Sequence, residues 1–177
     1  FQQNSFLYLC HNTQLCYNYH EATGQIWLDK DMHFMSKDLA KYAGYKGVEA
    51  FQVDQRRYDW PLLPLKRIQG RNRYAFTEAM LAHVIWSLRA LGLNGAAVGS
   101  MLGRIDIEAF RDSLDKFEVG LTDEAILTIP LAEYFDPFGE MATVHNNLRS
   151  AHTTMEQLDC VFLRLTDFAR TILKGEM

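Results

Sequence analysis

A mainly α-helical fold is what this sequence predicts, and three observations carry the expectation. Apolar residues recur at helical spacing through most of the chain after residue 36. Helix-capping Ser and Asn and helix-stopping Gly residues punctuate that pattern. Residues 140–177 carry an apolar heptad. With 177 residues, 48% of them hydrophobic and 12% aromatic, the chain has ample material for a core. Four Pro and 11 Gly are too few for disorder to dominate. No run of about 18 apolar residues is present, so no transmembrane helix is expected. No basic, apolar and small-residue succession opens the sequence, so no signal peptide is expected. Three cysteines, an odd number, fit no secreted disulfide framework, which makes the cytoplasm the expected compartment.

Residues 1–35 read as an N-terminal extension without helical period. Phe6–Leu9 and Gln25–Leu28 are short apolar runs with Ala22-Thr23-Gly24 between them, a pattern for a short β-hairpin. Ser36 then reads as the N-cap of a two-turn helix through Leu39, Ala40 and Ala43 that stops at Gly44. A second helix follows from Val48 to about Tyr58, completing a helix-turn-helix. Pro61 and Pro64 force residues 60–64 to be extended. Lys66 to Tyr74, basic around Gly70, reads as a hairpin. Thr77 is expected to cap a third helix closed by Gly92, and Asn94 to cap a fourth closed by Gly103. Residues 105–139 form a helical connector in this reading: Ile107, Phe110, Leu114 and Phe117 fall at helical spacing, and Ile126 to Ile129 fit helix or strand equally.

The heptad runs Met141, Val144, Leu148, Ala151, Met155, Leu158, Phe162, Leu165, Ala169, Ile172, with alternating spacings of three and four. One helix over that span would be roughly 50 Å long. Its stripe needs a partner of similar length, which predicts a homodimerisation helix with Leu148, Met155, Leu158, Phe162, Leu165 and Ile172 in the seam. The other reading is a long core helix packed in cis.

Charge is unevenly placed. The formal net charge of −4 argues against a polyanionic partner, yet residues 36–74 carry nine basic and four acidic residues, a local +5. Residues 1–35 carry −2 and residues 75–177 carry −7. A basic block inside an acidic chain is the footprint of a phosphate-binding surface or, more blandly, a solvated charged face.

Within residues 36–104 the order of motifs resembles the winged-helix domain of the MerR family of bacterial transcription regulators. The resemblance rests on Ser36-Lys37-Asp38-Leu39-Ala40, Arg56-Arg57-Tyr58-Asp59, Leu62-Leu63-Pro64, Arg71-Asn72-Arg73-Tyr74, Phe76-Thr77-Glu78 and Leu88-Arg89-Ala90-Leu91-Gly92-Leu93. The link from Gly44 to Arg56 is longer, and that from Tyr58 to Leu62 shorter, than the family pattern. About 35 residues precede the domain, and a stretch of similar length separates it from the heptad. The resemblance implies a homodimeric, sequence-specific DNA-binding regulator, bacterial or phage, that meets double-stranded DNA, with RNA polymerase as a further candidate partner. It implies no membrane partner and no catalysis. A recognition helix would enter the major groove while a basic wing reaches the backbone. Candidate DNA contacts are Ser36 and Lys37 at a helix start, Arg56, Arg57 and Tyr58 at a helix end, and Lys66, Arg67, Arg71 and Arg73 on the wing. Glu49 and Asp54 would repel phosphates unless they point away. They keep open a second class, a protein-interaction or effector-sensing module without DNA binding; an excisionase-like architectural factor is a variant of the first.

No Ser-His-Asp order, Gly-rich phosphate loop or HExxH occurs, so no enzyme, cofactor or metal is expected. Cys10, His11, Cys16 and His20 fit no standard zinc spacing. Cys160 reads as an inert small hydrophobe, and His145 and His152 as solvated flanks of the heptad seam.

Overall fold

A computed structural model of the chain describes residues 19–20, 25–26, 33–115, 124–130, 142–145, 147, 149–152 and 160–174. These residues form a mixed α/β fold in which helices are accompanied by three small antiparallel sheets. The first pairs β1 (Tyr19–His20) with β2 (Gln25–Ile26). The strand expected at Phe6–Leu9 lies outside the described residues.

β3 (Phe34–Met35) leads directly into α1 (Ser36–Tyr42). Met35, not Ser36, holds the cap position, and its backbone N–H donates to Asp38 Oδ2 at 2.8 Å. This is the reciprocal half of a capping box, made by the N3 carboxylate to the cap amide, and it leaves Ser36 inside the first turn. α1 stops where expected. Gly44 takes a φ of +77°, and the Tyr45 amide donates to the Ala40 carbonyl at 2.8 Å, a Schellman closure. A Cβ at Gly44 would come within 2.5 Å of the Trp86 indole, so sterics and backbone conformation both select glycine there. α2 (Val48–Arg57) follows, burying Phe51.

β4 (Lys66–Ile68) and β5 (Arg71–Tyr74) form the expected hairpin, and β3 adds to β5 to make a sheet of order β3-β5-β4. Phe34 is buried and pairs with Tyr74, so the segment immediately before Ser36 belongs to this sheet. α3 (Phe76–Ala90) begins two residues earlier than a Thr77 cap would allow, with Ala75 at the cap position. α4 (Gly95–Leu102) is capped by Asn94, whose Oδ1 accepts from the Ala97 amide at 2.9 Å. α5 (Ile107–Asp115) buries Phe110 and Leu114.

The remainder departs from the sequence reading. β6 (Ile126–Pro130) is buried along its whole length between β7 (Thr143–His145) and β8 (Cys160–Arg164). The connector expected over 105–139 therefore holds a central strand. α6 (Thr166–Lys174) closes the described chain. The continuous helix expected from Met141 to Leu173 is not present: strands occupy 143–145 and 160–164, with helical residues 149–152 between them. Among the described heptad positions, Ala151 and those from Ala169 on are helical, while Val144 and Phe162 lie on strands. Near the C-terminus Leu165, Phe168, Ala169 and Ile172, at intervals of three, one and three, are buried in the same core as α3. Leu165 and Ile172 thus pack within their own chain rather than in a seam between chains. Phe162 is half-buried on β8, and Leu148, Met155 and Leu158 lie outside the described residues. Apolar intervals of three and four arise equally from a buried strand followed by an amphipathic helix, which is what produced the false heptad.

The junction between β6, β8 and α6 is polar and fully engaged. Glu124 accepts two bonds from Arg164, at 2.9 and 2.7 Å, and one from Thr166 Oγ1 at 3.0 Å. Thr166 Oγ1 also accepts from the Ala125 amide at 2.8 Å. His145 is buried rather than solvated, with Thr128 Oγ1 and Ser150 Oγ each 2.9 Å from its ring nitrogens.

α6 meets α3 through aromatic faces. The His83 ring stacks on Phe168 with centroids 3.7 Å apart and on Trp86 at 5.2 Å, while Tyr42 of α1 meets Phe168 edge-on at 5.5 Å. Burial lowers the His83 pKa from 6.5 to about 4.

Two measurements follow. Leu165→Ala should lose about 2–5 kcal/mol of stability with no change in sedimentation mass; unchanged stability with a reduced mass would return Leu165 to an intersubunit seam. Between about pH 6.5 and 4 the unfolded chain binds a proton at His83 that the folded chain refuses. Stability should therefore fall as pH drops through that window, by at most about 3 kcal/mol from this residue. His83→Phe should be less acid-sensitive than wild type in urea titrations at pH 7 and 4.5. Equal losses in the two proteins would show that the stack tolerates the imidazolium.

Candidate nucleic-acid interface

α2 and the β4–β5 hairpin stand on either side of a groove of about 500 Å³, with the start of α1 at its end. Met35, Ser36 and Lys37 line it from the β3–α1 junction, Val48 and Gln52 from α2, and Arg67, Gly70, Arg71 and Asn72 from the hairpin. The structure thereby brings together four residues expected at a phosphate surface, Ser36, Lys37, Arg67 and Arg71, from segments about 30 residues apart.

The hairpin owes its shape to a two-residue turn in which Gln69 and Gly70 have φ of 49° and 75°. Positive φ at both positions is the type I′ geometry that matches the twist of the flanking strands. Register follows: Lys66 faces Arg73, Arg67 faces Asn72, and Ile68 faces Arg71. All three residues of β4 are exposed. Lys66 opposite Arg73 sets like charges across a ladder, an arrangement that destabilises a hairpin in isolation. Arg67 Nε donates to the Gly70 carbonyl at 2.9 Å, which fixes its guanidinium beside the tip. Arg73 differs from the other cations: it is half-buried, and its Nε is buried with no hydrogen-bond partner among the described residues.

Two of the four carboxylates in this region, Asp38 and Asp54, are engaged by the protein's own donors, while Glu49 and Asp59 are exposed. Asp38 caps α1. Asp54 accepts from the Tyr45 hydroxyl at 2.6 Å, and burial followed by that bond raises the Tyr45 pKa well above its usual value, so the phenol remains a donor. Arg89 stands over the same ring at 4.5 Å. Of the two acids on α2, only Glu49 is exposed. Exposed cations of residues 36–74 still outnumber the exposed carboxylates, and five of the nine basic residues, Lys37, Lys66, Arg67, Arg71 and Arg73, lie on the hairpin and the start of α1.

The cluster at the end of α2 divides. Arg56 and Arg57 are exposed, and neither is ion-paired to Asp54 or Asp59 among the described residues. Arg56 Nε donates to the Gln52 carbonyl at 3.1 Å. Tyr58 has a packing role instead. Its ring stacks on Trp60 with centroids 6.0 Å apart and fills the space beside α4 where a Cβ on Gly95 would overlap it. Tyr74 is buried in the core. Met35, Val48, Gln52 and Asn72 were not expected at the groove. Two signals were available for them: Val48 and Gln52 are spaced i, i+4 on one helix face, and Asn72 faces Arg67 once the turn at Gln69-Gly70 fixes the register.

Among the described residues no group of three or more His, Cys, Asp or Glu side chains is placed to hold a metal ion, and no helix is long and apolar enough to cross a membrane. Neither a family model nor a curated protein matches the chain.

The like-charge pair generates a prediction. Lys66→Glu, which sets opposite charges across the ladder, should raise stability by about 0.2–1 kcal/mol. The same change should weaken retention on an immobilised polyanion. If retention is unchanged, Lys66 is not part of the anion-facing surface.

Proposed function

We propose that this protein is a sequence-specific DNA-binding regulator of the winged helix-turn-helix type, with α2 as the recognition helix and the β4–β5 hairpin as the wing. The observation that carries the reading is the groove flanked by α2 and the hairpin, which gathers Ser36, Lys37, Arg67 and Arg71 while Asp38 and Asp54 are held by the protein's own donors. A helix exposed along one side and a basic hairpin beside it match the two contacts such a module makes, one with base edges in the major groove and one with phosphates. The MerR-like order of motifs supports the same assignment. Exposed Lys66, Arg67 and Arg71 serve phosphates in this reading; Arg56 and Arg57 extend the contact along α2, and Tyr58 and Arg73 support the scaffold.

Homodimerisation belongs to the proposal because a single module offers few contacts against genomic competition, whereas two at a fixed spacing read two half-sites. With Leu165 and Ile172 buried in cis, the surface that joins two copies lies elsewhere than those positions. A protein-interaction module without DNA affinity is the competing class, and exposed Glu49 is the observation that favours it.

Salt dependence separates the two. Affinity for random duplex DNA should fall steeply with salt as counterions are released, and Arg67→Ala with Arg71→Ala should reduce the slope of log K against log salt by about two. Weakening should be similar for all sequences, because phosphate contacts carry no sequence information. Absence of duplex binding at 50 mM salt would decide for the protein-interaction class.

A further inference from the structure

The outer face of α2 is chemically unlike the hairpin beside it. Glu49, Val53 and Arg56 are exposed, and Gln52 lines the groove next to them. Their spacing of i, i+3, i+4 and i+7 places all four on one stripe opposite buried Phe51. An anionic residue at one end and a valine 46% exposed at the centre leave Arg56, at the other end, as the one residue of this stripe suited to a phosphate. The stripe suits the floor of a major groove. There cytosine offers an amino donor, adenine takes a bidentate amide, and thymine presents its C5 methyl group to an apolar side chain. Val53 is also β-branched and solvated on a short helix, where neither helix propensity nor core packing favours it. Phosphates are otherwise left to Lys37, Lys66, Arg67 and Arg71 on the flanks.

Resting on the DNA-binding reading above, we infer that the α2 stripe selects half-sites containing an A·T step, with Val53 packed on the C5 methyl of a thymine and Gln52 paired to the N6/N7 edge of an adenine. In this arrangement the hairpin supplies affinity and α2 supplies choice. Glu49 is tolerated because it faces base edges, where an acceptor is useful, and not the backbone, where it would repel.

The test uses duplexes selected from a randomised library by the full-length protein, followed by single thymine-to-deoxyuridine replacements, which delete only the methyl group. One replacement should weaken wild-type binding about fourfold, the worth of one buried methyl, and leave Val53→Ala unaffected. Gln52→Ala should relax the preference for adenine at one position by roughly fivefold or more. Both variants lie on the helix surface, and an unchanged thermal midpoint will show that each is folded. Indifference of wild type to every deoxyuridine replacement, or equal sensitivity in Val53→Ala, overturns the inference while leaving a duplex-binding protein with a steep salt slope. Failure of wild type to enrich any duplex at low salt overturns the inference together with the DNA-binding reading.

Discussion

Helix α3 buries ten of its fifteen residues, including Met80, Leu81, Val84, Ile85 and Leu88. A helix apolar on so many sides is stable only when enclosed, and its neighbours provide the enclosure. α1 packs on one side, α4 and α5 on others, β5 leads into its start and α6 crosses near His83. That requirement positions the functional elements: α1 is held to α3, the Gly44 turn lies under Trp86, and the turn sets where α2 departs. The hairpin is anchored by Tyr74, buried immediately before α3 begins. Glu78 adds a polar constraint. It is buried on α3, accepts from Thr77 Oγ1 and pairs with Arg111 of α5 at 2.6 Å. A buried carboxylate of this kind tolerates loss of its partner poorly, so the α3–α5 angle is fixed by charge as well as by packing.

The surface that this scaffold presents carries stored electrostatic cost. Like charges face each other across the hairpin, Arg56 and Arg57 stand without carboxylate partners among the described residues, and two nearby carboxylates are engaged by internal donors. Folding by itself gives no reason to gather cations in this way. A polyanion does, because the repulsion that destabilises the free hairpin becomes attraction once phosphates lie between the cations.

Legibility in the sequence followed the range of the interactions. Helices stopped by Gly44 and Gly92, the Asn94 cap and the hairpin around Gly70 were all readable, because each depends on a residue or its immediate neighbours. The Ser36 cap failed by one residue because the capping-box bond runs from the Met35 amide to Asp38 three residues on, which makes Met35 the cap and puts Ser36 in the first turn. β3 was missed because two residues, Phe34 and Met35, show no periodicity and become a strand only by pairing with β5. The C-terminal heptad misled for a related reason: intervals of three and four specify burial, not conformation, and Val161 to Leu163 form a strand only because β6 lies beside them. At the site, the basic residues were visible in composition. Gln52 and Asn72 were not, since only the approach of the hairpin to α2 gives them a common groove.

The central claim is that duplex DNA sits across α2 and the hairpin. Backbone hydrogen exchange with and without a duplex addresses it directly, because protection reports where a ligand covers or stiffens the chain. The account predicts slower exchange confined to the segments Val48–Arg57 and Lys66–Tyr74 and to the start of α1, with β6 and β8 unchanged. Protection centred on β8 or α6 with α2 and the hairpin unaffected would contradict it.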